Sequence, residues 1–246
     1  MPIDVHAHYV PPTILAEIED RAGDFGLSVV RHPPSCTCAI HFDYGLKVRP
    51  FFPKLIEPVT ARLAAMDETG IDRQVLSSWA DIFGSGLPVA QAQPWHRFLN
   101  RHLSELCASR RDRFSMLASV PLPYAQEAAA ELEHGVKSLG AVGAVVAANV
   151  DGKNLGELDL NPFWQMACAL DVGVLIHPVQ AQPNPRSAKF GLSQIAQYTV
   201  DTTLCVGSLI GTGVLDRFPK LRLLLSHGGG TFPYLTGRFD IMHKRM

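Results

Sequence analysis

Short apolar runs alternate with longer amphipathic stretches along most of this chain. Six of the runs predict β-strands, and two of these, VGVLIHP and LRLLLSH, are continuous enough to be buried on both faces of a sheet. The predicted strands are Ile3–His8, Gln74–Trp79, Phe114–Val120, Val142–Ala147, Val172–His177 and Leu221–His227. The stretches between them predict helices over Thr60–Thr69, Trp95–Ser109, Ala125–Ser138, Pro162–Leu170 and Leu192–Ile210. Short strands separated by helices are typical of βαβ units in a parallel sheet.

Two regions interrupt the alternation. Residues from about 24 to 54 hold short alternating segments and many prolines, which predict an inserted hairpin, and Gln180–Lys189 predicts a loop. We therefore expect an α/β fold, a (β/α)8 TIM-type barrel that forms one domain over residues 1–246. Because the pattern predicts six strands where a barrel needs eight, we expect the chain to lack the last two βα units and to be C-terminally incomplete.

Composition excludes several classes of function. The formal net charge is -1 with 18% charged residues and no basic block, so we expect no nucleic-acid partner. No apolar run reaches the roughly 18 residues of a membrane span, so we expect no membrane partner. The N-terminus, MPIDVHAH, lacks the pattern of a secretory leader, and the five cysteines have no regular spacing. These features predict a cytoplasmic protein that binds a small molecule.

Histidines at the ends of predicted strands carry the candidate chemistry. His6 and His8 are two residues apart on one strand, so their side chains point to the same face. His177 and His227 end two more strands. The carboxyl ends of barrel strands meet at one rim, where active sites form. We therefore predict a metal site there rather than a chance H-x-H, with Zn²⁺ favoured by imidazole ligands and Mn²⁺, Fe²⁺ or Co²⁺ as substitutes.

His227 differs from the other three because Gly228, Gly229 and Gly230 follow it. Glycines let the main chain approach a ligand closely and leave the pocket floor open. We therefore predict that His227 is a general acid/base residue near the metal. The alternative is that it is a fourth metal ligand.

A second set of possible zinc ligands is His32, Cys36, Cys38 and His41. If residues 36–41 form a strand, the two cysteines point to one face and His41 to the other. Zinc-binding cysteines are also usually separated by at least two residues. We therefore do not favour a zinc knuckle in this segment.

Four motifs together resemble the amidohydrolase-related decarboxylase family: DVHAHYVPP, RLAAMDETGID, VLIHP and FPKLRLLLSHGGGTFPYLTGRFD. The resemblance covers essentially the whole chain. It implies a zinc site formed by His6, His8 and His177, with His227 as the acid/base residue. In that family a final aspartate ligand comes from the last strand. We do not expect Asp240, on a predicted helix, to replace it.

The same resemblance implies two arginines as contacts to a substrate carboxylate, Arg49 in KVRP and Arg238 in TGRFD. In the family the second arginine reaches the neighbouring subunit's pocket, which implies a homodimer. Guanidinium groups bind carboxylates bidentately, which suits both assignments. The alternatives are that Arg49 is simply solvated and that Arg238 pairs with Asp240 or a glutamate.

Three functions fit these residues. The first is non-oxidative decarboxylation of an unsaturated or aromatic carboxylic acid, in which the metal activates a water molecule and His227 transfers a proton to the substrate carbon. The second is metal-dependent hydrolysis of a lactone or amide at the same site. The third is a truncated, inactive chain that at most binds a metal or a partner subunit. Arg49 favours decarboxylation, because a decarboxylase must hold a carboxylate.

Overall fold

A computed structural model describes residues 1–32, 37–179 and 184–245 of the protein. Its strands are β1 (Ile3–His8), β2 (Leu27–His32), β3 (Thr37–Phe42), β4 (Arg73–Ser77), β5 (Phe114–Ser119), β6 (Gly143–Ala147), β7 (Asn149–Val150), β8 (Lys153–Asn154), β9 (Gly173–His177) and β10 (Arg222–Leu225). Its α-helices are α1 (Pro12–Arg21), α2 (Val59–Thr69), α3 (Val89–Ser109), α4 (Ala125–Leu139), α5 (Asn161–Ala169), α6 (Tyr198–Gly211), α7 (Val214–Arg217) and α8 (Phe232–Arg245). None of the helices in these ranges is long and apolar enough to cross a membrane.

All six predicted strands are present and form one parallel sheet, the main sheet, in the order β1-β4-β5-β6-β9-β10. Helices lie in the connections between its strands, which confirms the βαβ pattern. Every residue of β6 is buried, as expected for a strand covered on both faces. On one face Leu117, Val145 and Leu175 form an apolar layer, and on the other Val146 and Ile176 pack in the core cluster that contains α4 and α5 residues.

The main sheet is strongly curled. β1 and β9 are four strand positions apart, which in a flat sheet would be about 19 Å. Nevertheless the Nε2 atoms of His8 in β1 and His177 in β9 are 3.0 Å apart. The sheet is therefore curved like half of a barrel, which brings the carboxyl ends of distant strands together. The expectation that two further βα units are missing stays a prediction.

A β-bulge interrupts the pairing of β1 with β4. Asp4 pairs with Gln74 and Ala7 pairs with Leu76, so two residues of β1, Val5 and His6, lie opposite one residue of β4. The Asp4 carboxylate accepts a hydrogen bond from the main-chain N–H of His6 at 3.0 Å. Bulges redirect side chains and are frequent beside active sites. Here the bulge contains His6, the first histidine of the H-x-H pair.

The inserted region contains an antiparallel hairpin. β2 and β3 pair antiparallel from Leu27 opposite Phe42. Phe25, Ile40 and Phe42 pack with Trp95 and Phe98 of α3 in a second hydrophobic core beside the main sheet. The hairpin thus rests on α3, and the chain that follows it returns to the carboxyl end of the main sheet. Residues 33–36 and 180–183, which include part of the predicted Gln180–Lys189 loop, lie outside the described residues.

Several predicted element boundaries were wrong. Helix α3 begins at Val89, six residues before the predicted start, with Pro94 inside it. The predicted helix Leu192–Ile210 is divided into a π-helical turn, Ser193–Gln197, in which no residue is buried, and α6. β10 ends at Leu225 rather than at residue 227, because the main chain turns into the left-handed region at His227. Helix α1 was not predicted.

Candidate metal centre

Four histidine rings converge at the carboxyl end of the main sheet. His6 lies with its ring centroid 5.0 Å from that of His8, 4.9 Å from His177 and 5.1 Å from His227. The rings of His177 and His227 are also 5.1 Å apart. The four imidazoles come from β1, from the end of β9 and from the turn after β10, so the curl of the sheet assembles the cluster.

The Nδ1 atoms of two of these rings are engaged by the main chain. Nδ1 of His8 is 3.3 Å from the carbonyl oxygen of Ser78 and 3.0 Å from Oγ of Ser77. Nδ1 of His177 contacts the carbonyl oxygen of Pro178. Because a carbonyl oxygen only accepts hydrogen bonds, Nδ1 is the protonated nitrogen in both rings. In the neutral ring this leaves the lone pair on Nε2, the nitrogen that faces the cluster.

The Nε2 atoms fit a shared cation. Nε2 of His8 is 3.2 Å from Nε2 of His6 and 3.0 Å from Nε2 of His177, and ligand atoms of all three residues lie within 4.8 Å of one another. Imidazole nitrogens bound to one ion at about 2.1 Å are themselves roughly 3.0–3.4 Å apart. Without a cation, two facing lone pairs at this distance repel each other. His6, His8 and His177 therefore have the donor set and the spacing of a divalent metal site.

Burial favours the neutral form of these histidines. It lowers the pKa of His8 to about 4, with the neighbouring His6 and His227 acting in the same direction. The pKa of His177 lies well below its ordinary value for the same main reason. Burial also lowers the pKa of His6, and the nearby Asp4 carboxylate opposes that effect. Neutral imidazole is the form that binds metal ions.

His227 is presented by an unusual turn. Its φ is 51°, and Gly228, Gly229 and Gly230 follow with φ of 65°, 82° and 66°. A non-glycine residue in the left-handed region is uncommon and is often found at functional sites. The ring lies beside His6 and His177, and its Nδ1 is 3.2 Å from Oγ of Ser226. Burial lowers the pKa of His227, as does the adjacent His6.

The glycine run was predicted to let the main chain approach a ligand closely. In the structure, the main chain at Gly230 instead lies close to α6. A Cβ atom on Gly230 would lie 2.2 Å from the carbonyl oxygen of Thr199. The N–H of Thr231 also donates to Oγ1 of Thr203 at 2.9 Å. The turn that carries His227 is therefore fastened to the beginning of α6.

Arg49 lies beside a cavity at the same end of the main sheet. Its Nε is 3.3 Å from Oδ2 of the buried Asp81, and its guanidinium lies 5.0 Å from the ring centroid of Trp79. Its two terminal nitrogens make no hydrogen bond in the parts of the chain that are described. The cavity, about 360 Å³, is lined by Asp81, Tyr44, Phe83, Ala147, Asn149 and Val179 among others. Ala147 pairs with His177 in the sheet, so the cavity adjoins the histidine cluster.

The remaining predicted residues lie elsewhere. Arg238 and Asp240 are exposed on α8, and Arg238 makes no hydrogen bond or ion pair with any described residue. Asp240 is absent from the group of possible metal ligands found among the described residues. In the second set, Cys36 and the side chain of His32 lie outside the described residues.

Four residues in and around the cluster were not predicted. Ser77, the last residue of β4, and Ser78, the next residue, engage Nδ1 of His8, and the polar residues at this strand end, in the sequence SSWAD, were the available signal. Asp81, the partner of Arg49, belongs to the same segment. Tyr198 lies with its ring centroid 6.0 Å from that of His227, and burial raises its pKa to about 12. Nothing in the pattern around Tyr198 distinguishes it from an ordinary helix residue.

Comparison with known proteins gives one family and a consistent set of relatives. The amidohydrolase family matches residues 3–245. A 2-amino-3-carboxymuconate-6-semialdehyde decarboxylase from Dictyostelium discoideum is 29% identical over 238 residues, 97% of this chain and 66% of that protein. A gamma-resorcylate decarboxylase from Polaromonas is 31% identical over 197 residues, 76% of this chain and 60% of that protein. The chain thus spans two thirds or less of the length of these relatives.

Solved structures agree on the fold. The 5-carboxyvanillate decarboxylase of Sphingomonas paucimobilis superposes with a TM-score of 0.79 at 20% identity, over 99% of this chain and 72% of that one. A dihydroxybenzoic acid decarboxylase from Polaromonas, solved with bound manganese and the inhibitor 2-nitroresorcinol, gives a TM-score of 0.69 at 27% identity, over 96% of this chain and 68% of that one.

Proposed function

This chain belongs to the amidohydrolase family, and on that basis we propose that it is a metal-dependent non-oxidative decarboxylase of an unsaturated or aromatic carboxylic acid. The observation that carries the proposal is the convergence of the His6, His8 and His177 nitrogens with His227 alongside. Relatives named as decarboxylases of aromatic acids, including 6-methylsalicylic acid decarboxylase, support the choice of reaction.

We assign a divalent cation to His6, His8 and His177, with Zn²⁺ as the resident ion because three imidazoles suit it. Mn²⁺, the ion found in the related Polaromonas structure, is the alternative resident ion. When bound, such an ion would polarise the substrate's oxygen atoms.

Arg49 would hold the substrate carboxylate, and His227 would transfer the proton. The terminal nitrogens of Arg49 are available for a bidentate contact with a carboxylate, and Asp81 and Trp79 hold its guanidinium in place. In decarboxylation the bond between the substrate carbon and its carboxylate breaks, CO2 leaves, and the electron pair remaining on the carbon takes a proton. His227, on the open side of the cluster, is the residue that transfers this proton, with its Nδ1 beside Ser226.

We also propose that the chain acts as a homodimer, in which Arg238 reaches the pocket of the neighbouring subunit. Arg238 is exposed, makes no hydrogen bond or ion pair with the described residues and lies on α8, just after the turn that carries His227. These features leave its guanidinium available to a second subunit. Size-exclusion chromatography with light scattering, with Arg238→Ala assayed for turnover, tests this assignment.

The deciding experiment has two stages. Elemental analysis of protein purified without chelators or nickel resin should find about one zinc or manganese ion per chain. The loaded protein is then offered carboxylates such as 2,6-dihydroxybenzoate and 6-methylsalicylate, labelled with ¹³C in the carboxyl group, and labelled CO2 is measured. His227→Ala should retain the metal and lose turnover by roughly 10²–10⁴-fold.

Other outcomes would overturn the proposal. Metal binding with no CO2 release but with opening of lactones or amides would make the protein a hydrolase. Protein that binds no metal and turns over none of these compounds would be the inactive chain considered above.

A further inference from the structure

Two main-chain groups flank the pair of histidines on β1, and side chains engage both. The N–H of His6 donates to Oδ1 of Asp4 at 3.0 Å. The carbonyl oxygen of His8 accepts from Nη2 of Arg62 at 3.1 Å. The first contact holds the bulge that contains His6, and the second holds the end of the strand. Together they bracket the segment from residue 6 to residue 8.

One residue of the neighbouring strand joins these contacts into a continuous chain. Nε2 of Gln74 donates to Oδ2 of Asp4 at 3.0 Å, and Oε1 of Gln74 accepts from Nη1 of Arg62 at 3.1 Å. Hydrogen bonds therefore run from the His6 N–H through Asp4, Gln74 and Arg62 to the His8 carbonyl. We call these three residues the backbone clamp.

Arg62 is itself fixed in place. It is only 8% exposed, donates to the carbonyl oxygen of Lys54 at 2.9 Å and lies 4.6 Å from the ring centroid of Tyr9. Its Nε is 3.5 Å from the carboxylate of Glu57. A buried guanidinium is costly without such partners, so the contacts of Arg62 stabilise its position. The clamp is thus anchored in α2 and in the chain before it, outside β1.

Only one arrangement of donors and acceptors satisfies every hydrogen bond of the backbone clamp. Guanidinium only donates hydrogen bonds, so the oxygen of the Gln74 amide must face Arg62 and its nitrogen must face Asp4. Asp4 must then accept at both oxygens, one bond from Gln74 and one from the His6 N–H. An asparagine at position 4 has the same shape but only one acceptor. The amide nitrogen of the asparagine would face the amide nitrogen of Gln74, and two donors cannot form a hydrogen bond with each other.

We propose that Asp4, Gln74 and Arg62 are positioning residues that set the separation of the His6 and His8 imidazoles and thereby the affinity of the cation site. This inference rests on the metal site proposed above. The two Nε2 atoms are 3.2 Å apart, and that distance depends on the main chain that carries both rings through the bulge. Residues that orient metal ligands in this way affect affinity without touching the ion.

The test is a charge-exchange pair in the full chain. Asp4→Asn breaks the clamp, and Gln74→Glu alone sets two carboxylates against each other. In the double variant Asp4→Asn/Gln74→Glu, the new carboxylate accepts from both Arg62 and the asparagine amide, so the chain of hydrogen bonds is restored. Zn²⁺ affinity is measured by competition with a chromogenic chelator, and thermal unfolding of the metal-free protein is followed in parallel. Asp159→Asn, on an exposed residue with the same charge change, is the control.

We expect Asp4→Asn to weaken Zn²⁺ binding about 10- to 100-fold, the double variant to recover most of that affinity, and the control to match the wild type. Equal affinity in Asp4→Asn and wild type would overturn the inference. So would a loss that the double variant does not recover and that follows the unfolding temperature of the metal-free protein. If Asp4→Asn does not fold, the double variant must still fold and bind. A wild-type protein that binds no Zn²⁺ or Mn²⁺ would instead remove the metal site itself.

Discussion

Replacing Gly230 with alanine should damage both stability and turnover while leaving the metal site filled. Gly230 has φ 66° and ψ -131°, a conformation that L-residues rarely adopt. A Cβ atom there would lie 2.2 Å from the carbonyl oxygen of Thr199 and 3.1 Å from Oγ1 of Thr203, where ordinary contacts begin at 3.4 Å. The main chain must therefore shift by about 1 Å to accommodate the methyl group.

The size of the effect follows from these two penalties. An alanine in this conformation costs about 1–3 kcal/mol, and an overpacked contact costs about another 1–3 kcal/mol. We expect the free energy of unfolding to fall by about 2–6 kcal/mol. Because His227 lies only three residues earlier in the same turn, the shift should also move its ring and reduce kcat. His6, His8 and His177 come from other elements and should keep the cation.

Gly237→Ala is the matched control, because a Cβ atom on that helical glycine would meet nothing within 4 Å. It should stabilise α8 by about 0.5–1 kcal/mol. The measurements are urea unfolding midpoints, metal content and kcat for wild type and both variants. If Gly230→Ala unfolds at the wild-type midpoint and keeps the wild-type kcat, the left-handed turn does not position His227 as described.

Three further predictions concern single side chains. His177→Ala should lose the metal by elemental analysis, and full retention would remove His177 from the ligand set. Arg49→Ala should raise KM for the carboxylate substrate with the metal content unchanged, and an unaltered KM would exclude this carboxylate contact. His96 is buried in α3, and burial lowers its pKa from 6.5 to about 3. In the folded protein it therefore stays neutral as pH falls below 6.5, whereas in the unfolded chain it takes up a proton. His96 alone should therefore lower the free energy of unfolding by about 1.4 kcal/mol per pH unit as pH falls from about 6.5 to 3, or by about 2 kcal/mol at pH 5. His96→Gln should lack that component in urea titrations across this range, and equal slopes in both proteins would contradict it.

The sequence was sufficient to predict the main sheet and the identity of the clustered histidines. Parallel strands end at one edge, so apolar runs that terminate in His8, His177 and His227 could be placed together from their pattern alone. Alternation of side chains likewise placed His6 and His8 on one face. These inferences need only periodicity and chain direction, which the sequence records directly.

The supporting interactions could not be predicted in the same way. The bulge after Asp4 is a property of how β1 pairs with β4, and neither strand shows it alone. The contact of Arg49 with Asp81 joins the inserted region to the end of β4 and depends on how the hairpin packs. The left-handed conformation of His227 reflects the fastening of its turn to α6. Such features arise from tertiary packing, which a single sequence does not specify locally.

The separation of His8 and His177 along the chain has a consequence for folding. The two nitrogens that meet at 3.0 Å are 169 residues apart in sequence. A cation bound by both rings would stabilise only the folded state, because the unfolded chain does not hold the two rings together. Contacts of such long range form late in folding, so the site can assemble only after the folded sheet has brought β1 and β9 together. The ion would then bind a sheet that is already folded, and removing it would lower the free energy of unfolding by an amount set by the affinity and concentration of the ion.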